Sequence, residues 1–203
     1  MTSFKTIRDP VTDHLLTPQN AALVIIDFQP VQVASIQSRP KRELVANITA
    51  LARIGKLYGL PTVLSTVNVK TGRNQPTIHQ ITEVLDDVQP FDRTSINAWE
   101  DEDFVRGVRA TGRKKLIMAA LWTEVCLVHP ALDAINEGFE VYPVIDCVGG
   151  TSPEAHALGV QRLVQAGGQP VSWVQLICEL QRDWNREKTT PGFADILFAV
   201  EGH

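Results

Sequence analysis

The chain has 203 residues, 44% of them hydrophobic and 21% charged, with 13 glycines and 12 prolines. That is enough for a sizeable core in one domain spanning 1–203, and it excludes a disordered chain. Nineteen Lys and Arg against 23 Asp and Glu leave a net charge of −4, which argues against a nucleic-acid or anionic-membrane partner.

No apolar run approaches the roughly 20 residues of a membrane span. Met1-Thr2-Ser3-Phe4-Lys5 lacks the apolar stretch of a signal peptide. The three cysteines, Cys126, Cys147 and Cys178, show no CxxC spacing, so a reducing, cytoplasmic setting is expected.

Residues 1–20 read as an irregular arm. Ala21–Ile26 is a continuous apolar run closed by Asp27, the pattern of a strand buried on both faces. From Lys41 the period becomes helical, with Leu44, Ile48, Leu51 and Ala52 on one stripe, widened by Val45 and Ile54. Gly55 and Gly59 weaken the end of that helix and Leu60-Pro61 stops it. Thr62–Val67 is the second strand. Residues 68–98 are irregular apart from a short helix near Ile78–Leu85; long connections of this kind are often functional.

A helix over Asp101–Ala110 precedes a third strand at Lys115–Leu121. Thr123–Glu137 is then predicted helical, with Val125, Val128, Leu132 and Ile135 facing the sheet and Gly138 closing it. Glu140–Ile145 is the fourth strand, ending at Asp146. A helix at Pro153–Ala166, a short fifth strand at Gln169–Ser172 and a helix at Trp173–Trp184 complete the pattern. The tail, about 185–203, alternates weakly and is expected to wrap a neighbour.

Strand and helix alternate, which predicts an α/β fold: a three-layer, mostly parallel, doubly wound sheet. Ligands in such sheets sit beyond the C-terminal strand ends. Asp27, Trp122–Cys126 and Asp146 all fall on that edge. Cys126 lies where a strand turns into a helix. Unpaired N–H groups and the helix dipole there lower a thiol pKa and can hold an oxyanion; a small packed hydrophobe is the competing reading. Asp27 is either a general base or a helix cap, and Arg93 either the cation of the site or a structural ion pair. Together the three would supply a nucleophile, a base and a charge.

Other chemistries fare worse. His14, His79, His129, His156 and His203 show no short metal-ligand spacing. His129 reaches Cys126 as an i,i+3 neighbour but reads as structural. Gly149-Gly150 and Gly167-Gly168 are not a dinucleotide fingerprint. No cofactor and no metal are expected. Trp173, Leu176, Ile177, Leu180 and Trp184 form a stripe that serves either the core or a subunit interface. With the tail, it motivates a homo-oligomer.

Several pieces in order resemble the isochorismatase-like superfamily of cysteine hydrolases, and its YcaC-type branch in particular. They are Leu23-Val24-Ile25-Ile26-Asp27-Phe28-Gln29, Arg93-Thr94-Ser95-Ile96-Asn97-Ala98-Trp99 and Trp122-Thr123-Glu124-Val125-Cys126. His156, Arg162 and Glu179-Leu180-Gln181-Arg182-Asp183-Trp184 lie downstream. The resemblance covers about residues 18–185.

It implies an Asp–Lys–Cys triad, carried here by Asp27 and Cys126, with Arg93 nearest the lysine position. It also implies a cis Leu121–Trp122 peptide and an oxyanion hole from the Trp122 and Cys126 N–H groups. Phe28, Asn97, Trp99, Thr123 and Glu124 are candidate pocket residues. The implied activity is hydrolysis of a small amide or related carbonyl compound through an acyl-cysteine, and the implied assembly an octamer. Vinyl-ether hydrolysis without covalent sulfur and a non-catalytic binding protein are the alternatives. The Asp/His metal cluster of nicotinamidases is not matched, since only His79 lies in the relevant interval.

Overall fold

The computed structural model describes residues 8–200; the first seven residues of the predicted arm and the last three of the tail lie outside them. Five strands form one parallel sheet: β1 (Ala21–Ile26), β2 (Thr62–Val67), β3 (Phe91–Arg93), β4 (Lys115–Ala120) and β5 (Glu140–Pro143). Their order is β3-β2-β1-β4-β5. β1 is central, and all six of its residues are buried, as its unbroken apolar run demands. Ile26 lies level with Ser65 of β2 and Ala120 of β4, so the strand ends form a common edge.

The connecting helices are α1 (Pro30–Ser35), α2 (Lys41–Tyr58), α3 (His79–Thr82), α4 (Glu102–Ala110), α5 (Val128–Asn136), α6 (Pro153–Gln165), α7 (Trp173–Gln181) and α8 (Thr190–Val200). α2 packs with α7 and α8, whereas α5 packs with α6; the result is three layers. α2 ends as predicted at Gly59, whose φ of +61° suits glycine. Gly55 has a different reason to be there. A Cβ on it would lie 2.6 Å from the Leu23 side chain, so glycine lets α2 close onto β1.

Four expectations need correction. First, Arg93 is not in an irregular loop but ends the edge strand β3, aligned with Val67. Three polar-flanked residues carry too little pattern to show this. Second, the helix after β4 opens with a π turn over Thr123–Leu127, in which the Leu127 N–H bonds the Trp122 carbonyl at 3.2 Å. One extra residue in a turn rotates the rest of the helix by about 100°. The fully buried positions become Leu127, Val128, Ala131 and Ala134, while Val125, Leu132 and Ile135 lie at the core margin.

Third, Gln169–Ser172 makes one bridge, Val144 to Val171: the Gln169 and Val171 N–H groups donate to the Val141 and Pro143 carbonyls at 2.9 and 3.0 Å, but Pro143 has no N–H to return and extend the ladder. The strand before it stops at Pro143, and the chain then makes a 3-10 turn over Ile145–Cys147, whose Ile145 and Asp146 carbonyls accept from Arg39, each at 2.9 Å. Fourth, the tail packs on its own chain, and of the two readings of the Trp173 stripe the structure bears out the core. Trp173, Leu176, Ile177 and Leu180 are buried within the chain. α8 packs on α2 through buried Phe193 and Ile196, with Asp195 paired to Arg53. Of the stripe, Trp184 alone is exposed, at 63%, edge-on to Phe193.

Candidate active site

β1 and β4 are adjacent where the strand order reverses, which is where α/β sheets open a crevice. β1 delivers Asp27 to it. Asp27 has φ +61°, a left-handed conformation that Asp tolerates better than most residues. Its N–H bonds the Ser65 carbonyl at 3.0 Å, so the chain leaves the strand while the carboxylate turns into the crevice. Across β2, β3 delivers Arg93. Its Nη1 and Nη2 each donate to one Asp27 carboxylate oxygen at 2.7 Å, and both side chains are completely buried.

This two-point fork is the strong form of the ion pair. The guanidinium also donates to Ser65 Oγ at 3.1 Å, the Thr66 carbonyl at 3.2 Å and the Ile96 carbonyl at 3.1 Å. Burial opposes its charge, and the Asp27 hydrogen bonds and charge outweigh burial, so the Arg93 pKa lies above its ordinary value.

β4 delivers the third group. Leu121–Trp122 is a cis, non-proline peptide, and the Trp122 indole N–H donates to Ser35 Oγ at 2.6 Å. Cys126 comes next, in the π turn, and is 8% exposed. Its thiol lies within the electrostatic reach of both the Asp27 carboxylate and the Arg93 guanidinium. Burial, then the charge and hydrogen bond of Asp27, push the thiol pKa up to about 12; Arg93 and the Trp122 N–H act the other way without prevailing.

The sequence expectation of a lowered pKa is thus reversed. It counted the helix terminus but not a carboxylate 99 positions away in the chain, nor the cost of a buried thiolate. The resting arrangement is a neutral thiol beside a carboxylate.

The candidate pocket residues divide. Phe28 is fully buried, and its carbonyl accepts the Ile78 N–H at 2.9 Å. Thr123 Oγ1 lies 2.8 Å from His156 Nδ1. Glu124 Oε1 accepts the Thr151 N–H and hydroxyl at 2.9 and 2.6 Å. The Thr123 and Glu124 contacts clamp the π turn to α6 and its approach. Gly159 lets α6 come this close: a Cβ there would be 3.1 Å from the Glu124 Cα.

Asn97 and Trp99 direct their polar groups to α5 and its end, donating to Asp133 at 2.7 Å and Glu137 at 2.9 Å. Asp146 reaches the common edge but accepts the Trp173 N–H at 3.0 and 3.2 Å, a helix-capping role. Among the described residues no group of three or more His, Cys, Asp or Glu side chains is placed to hold a metal.

Two residues of the site carried no assignment in the sequence. Gln29, fully buried, accepts the Val67 N–H at 3.0 Å and donates to the Val67 and Gln75 carbonyls at 3.1 and 2.6 Å. Ser65 bridges Arg93 to the Phe91 carbonyl, which its hydroxyl reaches at 3.0 Å. A serine inside the second strand and a glutamine three residues past the first were the available signal, since a buried polar side chain must find partners.

The family model for the isochorismatase domain matches residues 21–175. The chain is 38% identical over 173 residues to the probable hydrolase YcaC of Escherichia coli strain K12, covering 85% of this chain and 83% of that protein. The crystal structure of the E. coli YcaC gene product, described as an octameric hydrolase of unknown specificity, superposes with a TM-score of 0.82 and 33% identity, covering 93% of this chain and 97% of that one. YcaC from Pseudomonas aeruginosa, solved with hexane-2,5-diol and covalent acrylamide, gives a TM-score of 0.82 at 32% identity over 94% and 98% of the two chains. With its strand order, its cis Leu121–Trp122 bond and its Asp27–Arg93–Cys126 cluster, this chain belongs to the isochorismatase family, in the YcaC-type branch.

Proposed function

We propose that the protein is a cysteine hydrolase that cleaves a small amide or related carbonyl compound through an acyl-cysteine. The observation that carries this reading is the buried cluster in which Asp27, both of its oxygens held by Arg93, acts electrostatically on the Cys126 thiol. Covalent acrylamide in the P. aeruginosa relative supports a reactive group in this branch.

As Cys126 Sγ attacks the carbonyl carbon, Asp27 takes the thiol proton. The carbonyl electron pair moves onto oxygen, facing the Trp122 and Cys126 backbone N–H groups. Collapse breaks the bond to the leaving amine, which takes the proton back from Asp27. Water then attacks the thioester while Asp27 removes its proton; collapse releases the acid, and the departing sulfur recovers that proton.

Arg93 moves no proton, because a guanidinium stays charged; it balances the Asp27 charge and lowers the cost of the forming thiolate. A free thiol suits the reducing cytoplasm. The chain self-associates on this reading, as the octameric E. coli relative does, and a monomer-sized particle at micromolar protein would contradict that.

The test is intact-mass detection of an acyl adduct on exposure to a panel of small amides and esters. Cys126→Ala should abolish adduct and turnover while the fold persists. Wild-type turnover by that variant would eliminate covalent catalysis and leave Asp27 acting as an acid without sulfur attack.

A further inference from the structure

The π turn that carries Cys126 is anchored at its first residue. The Thr123 N–H donates to the Gly149 carbonyl at 2.9 Å, and the Thr123 carbonyl accepts the Val128 N–H, so this residue ties down the turn on both sides of the cysteine. Thr123 is fully buried, and the partner of its hydroxyl is His156 Nδ1, 2.8 Å away in the first turn of α6. The contact is close all round: a Cβ on Gly150 would lie 2.6 Å from Glu124 Oε2 and 3.0 Å from the His156 Cβ.

His156 is half-buried. Among the described residues the charges acting on its ring are Arg39, on the loop before α2, and Glu124, in the π turn. Burial, then the Arg39 charge, hold its pKa below the ordinary value, and Glu124 opposes them without prevailing. The ring is therefore neutral at pH 7. A neutral imidazole can accept at Nδ1, whereas a protonated one donates from both nitrogens. Protonation would force the Thr123 hydroxyl to accept and leave its own hydrogen buried without an acceptor, which costs more than the new bond returns. It would also set a cation against Arg39.

We propose that neutral His156 is a positioning residue for the nucleophile: it accepts the Thr123 hydroxyl at Nδ1 and keeps Cys126 seated beside Asp27, and protonation of the ring releases the turn. This rests on Cys126 as the reacting group, but it can be measured without turnover.

The first measurement is the titration of the His156 ring by proton–carbon NMR, its signal assigned by its absence in His156→Asn. Thr123→Val removes the donor to Nδ1. The His156 midpoint should then move up by about half a pH unit to one, the loss of one hydrogen bond to the neutral form. An unmoved or lowered midpoint would overturn Thr123 as the donor and the proposal with it.

The second is the ratio of Cys126 to Cys178 alkylation by iodoacetamide, read by peptide mapping between pH 5 and 8. Both thiols lose thiolate in step as pH falls, so the ratio is flat while the turn holds. Below the His156 midpoint the sulfur moves from the Asp27 carboxylate, one cause of its raised pKa. The ratio should then climb by about threefold or more, the gain when a thiol pKa falls by one unit. His156→Asn offers an oxygen in place of Nδ1 and does not protonate, so its ratio should stay at the wild-type plateau throughout. His156→Ala should show the raised ratio at every pH, with circular dichroism checking the fold; if it does not fold, His156→Asn still decides. A wild-type ratio that stays flat through the His156 midpoint, or a climb that survives in His156→Asn, would overturn the proposal. Both expected results, with no acyl adduct from any amide or ester, would leave it standing and overturn the covalent reading instead.

Discussion

Asp27→Asn separates two properties that are usually lost together. In the wild type, burial and the Asp27 carboxylate hold the Cys126 pKa at about 12. At pH 8 that leaves about one molecule in ten thousand as thiolate, against about a quarter for an ordinary cysteine. Free Cys126 should therefore react slowly with iodoacetamide, more slowly than exposed Cys178, and its rate should climb with pH through 7–10 without a plateau.

Removing the Asp27 charge removes two of the causes that raise the thiol pKa and leaves Arg93 acting to lower it. For each unit by which the pKa falls, the thiolate fraction rises tenfold; lower intrinsic nucleophilicity returns part of this, for a net gain of about threefold to fourfold. Alkylation of Asp27→Asn at Cys126 should thus be several-fold faster than wild type, while amide turnover disappears because the base is gone. The assay is peptide mapping after timed iodoacetamide exposure between pH 7 and 10, with Cys178 as internal reference. Circular dichroism checks the fold, which Arg93 still supports through Ser65, Thr66 and Ile96. A folded Asp27→Asn protein whose Cys126 reacts no faster than wild type would refute the view that the carboxylate keeps the thiol protonated.

Arg93→Met strands a fully buried carboxylate. It should cost about 3–5 kcal/mol, a melting-point fall of about 6–20 °C for a chain of this size, with most of the loss recovered in Asp27→Asn/Arg93→Met by calorimetry. Gly159→Ala places a Cβ 3.1 Å from the Glu124 Cα, so it should lower kcat by displacing the nucleophile turn and cost about 1–3 kcal/mol, read from thermal melts alongside turnover. Asp146→Ala removes the acceptor of the Trp173 N–H. It should lose about 1 kcal/mol in denaturant titration and leave kcat unchanged; a fall in kcat would return Asp146 to the site.

The chain's own pattern determined the features that depend on neighbours in sequence. β1 arises from a six-residue apolar run, β4 from the five apolar residues Leu116–Ala120, β2 from a run rich in β-branched residues, and α2 from a helical stripe closed by Gly59. Because the strands are parallel, Asp27 and Cys126 then had to reach one edge. The YcaC-type resemblance added the cis Leu121–Trp122 bond, which periodicity does not encode. Tertiary structure decided the rest. It placed Arg93 on the edge strand, put the Trp173 stripe into the chain's own core, and inserted the π turn that rotated the buried face of α5. It also reversed the sign of the Cys126 pKa shift. That shift is set by burial and by a carboxylate delivered from a strand far away in sequence, and neither quantity exists until the sheet has brought β1 and β4 together.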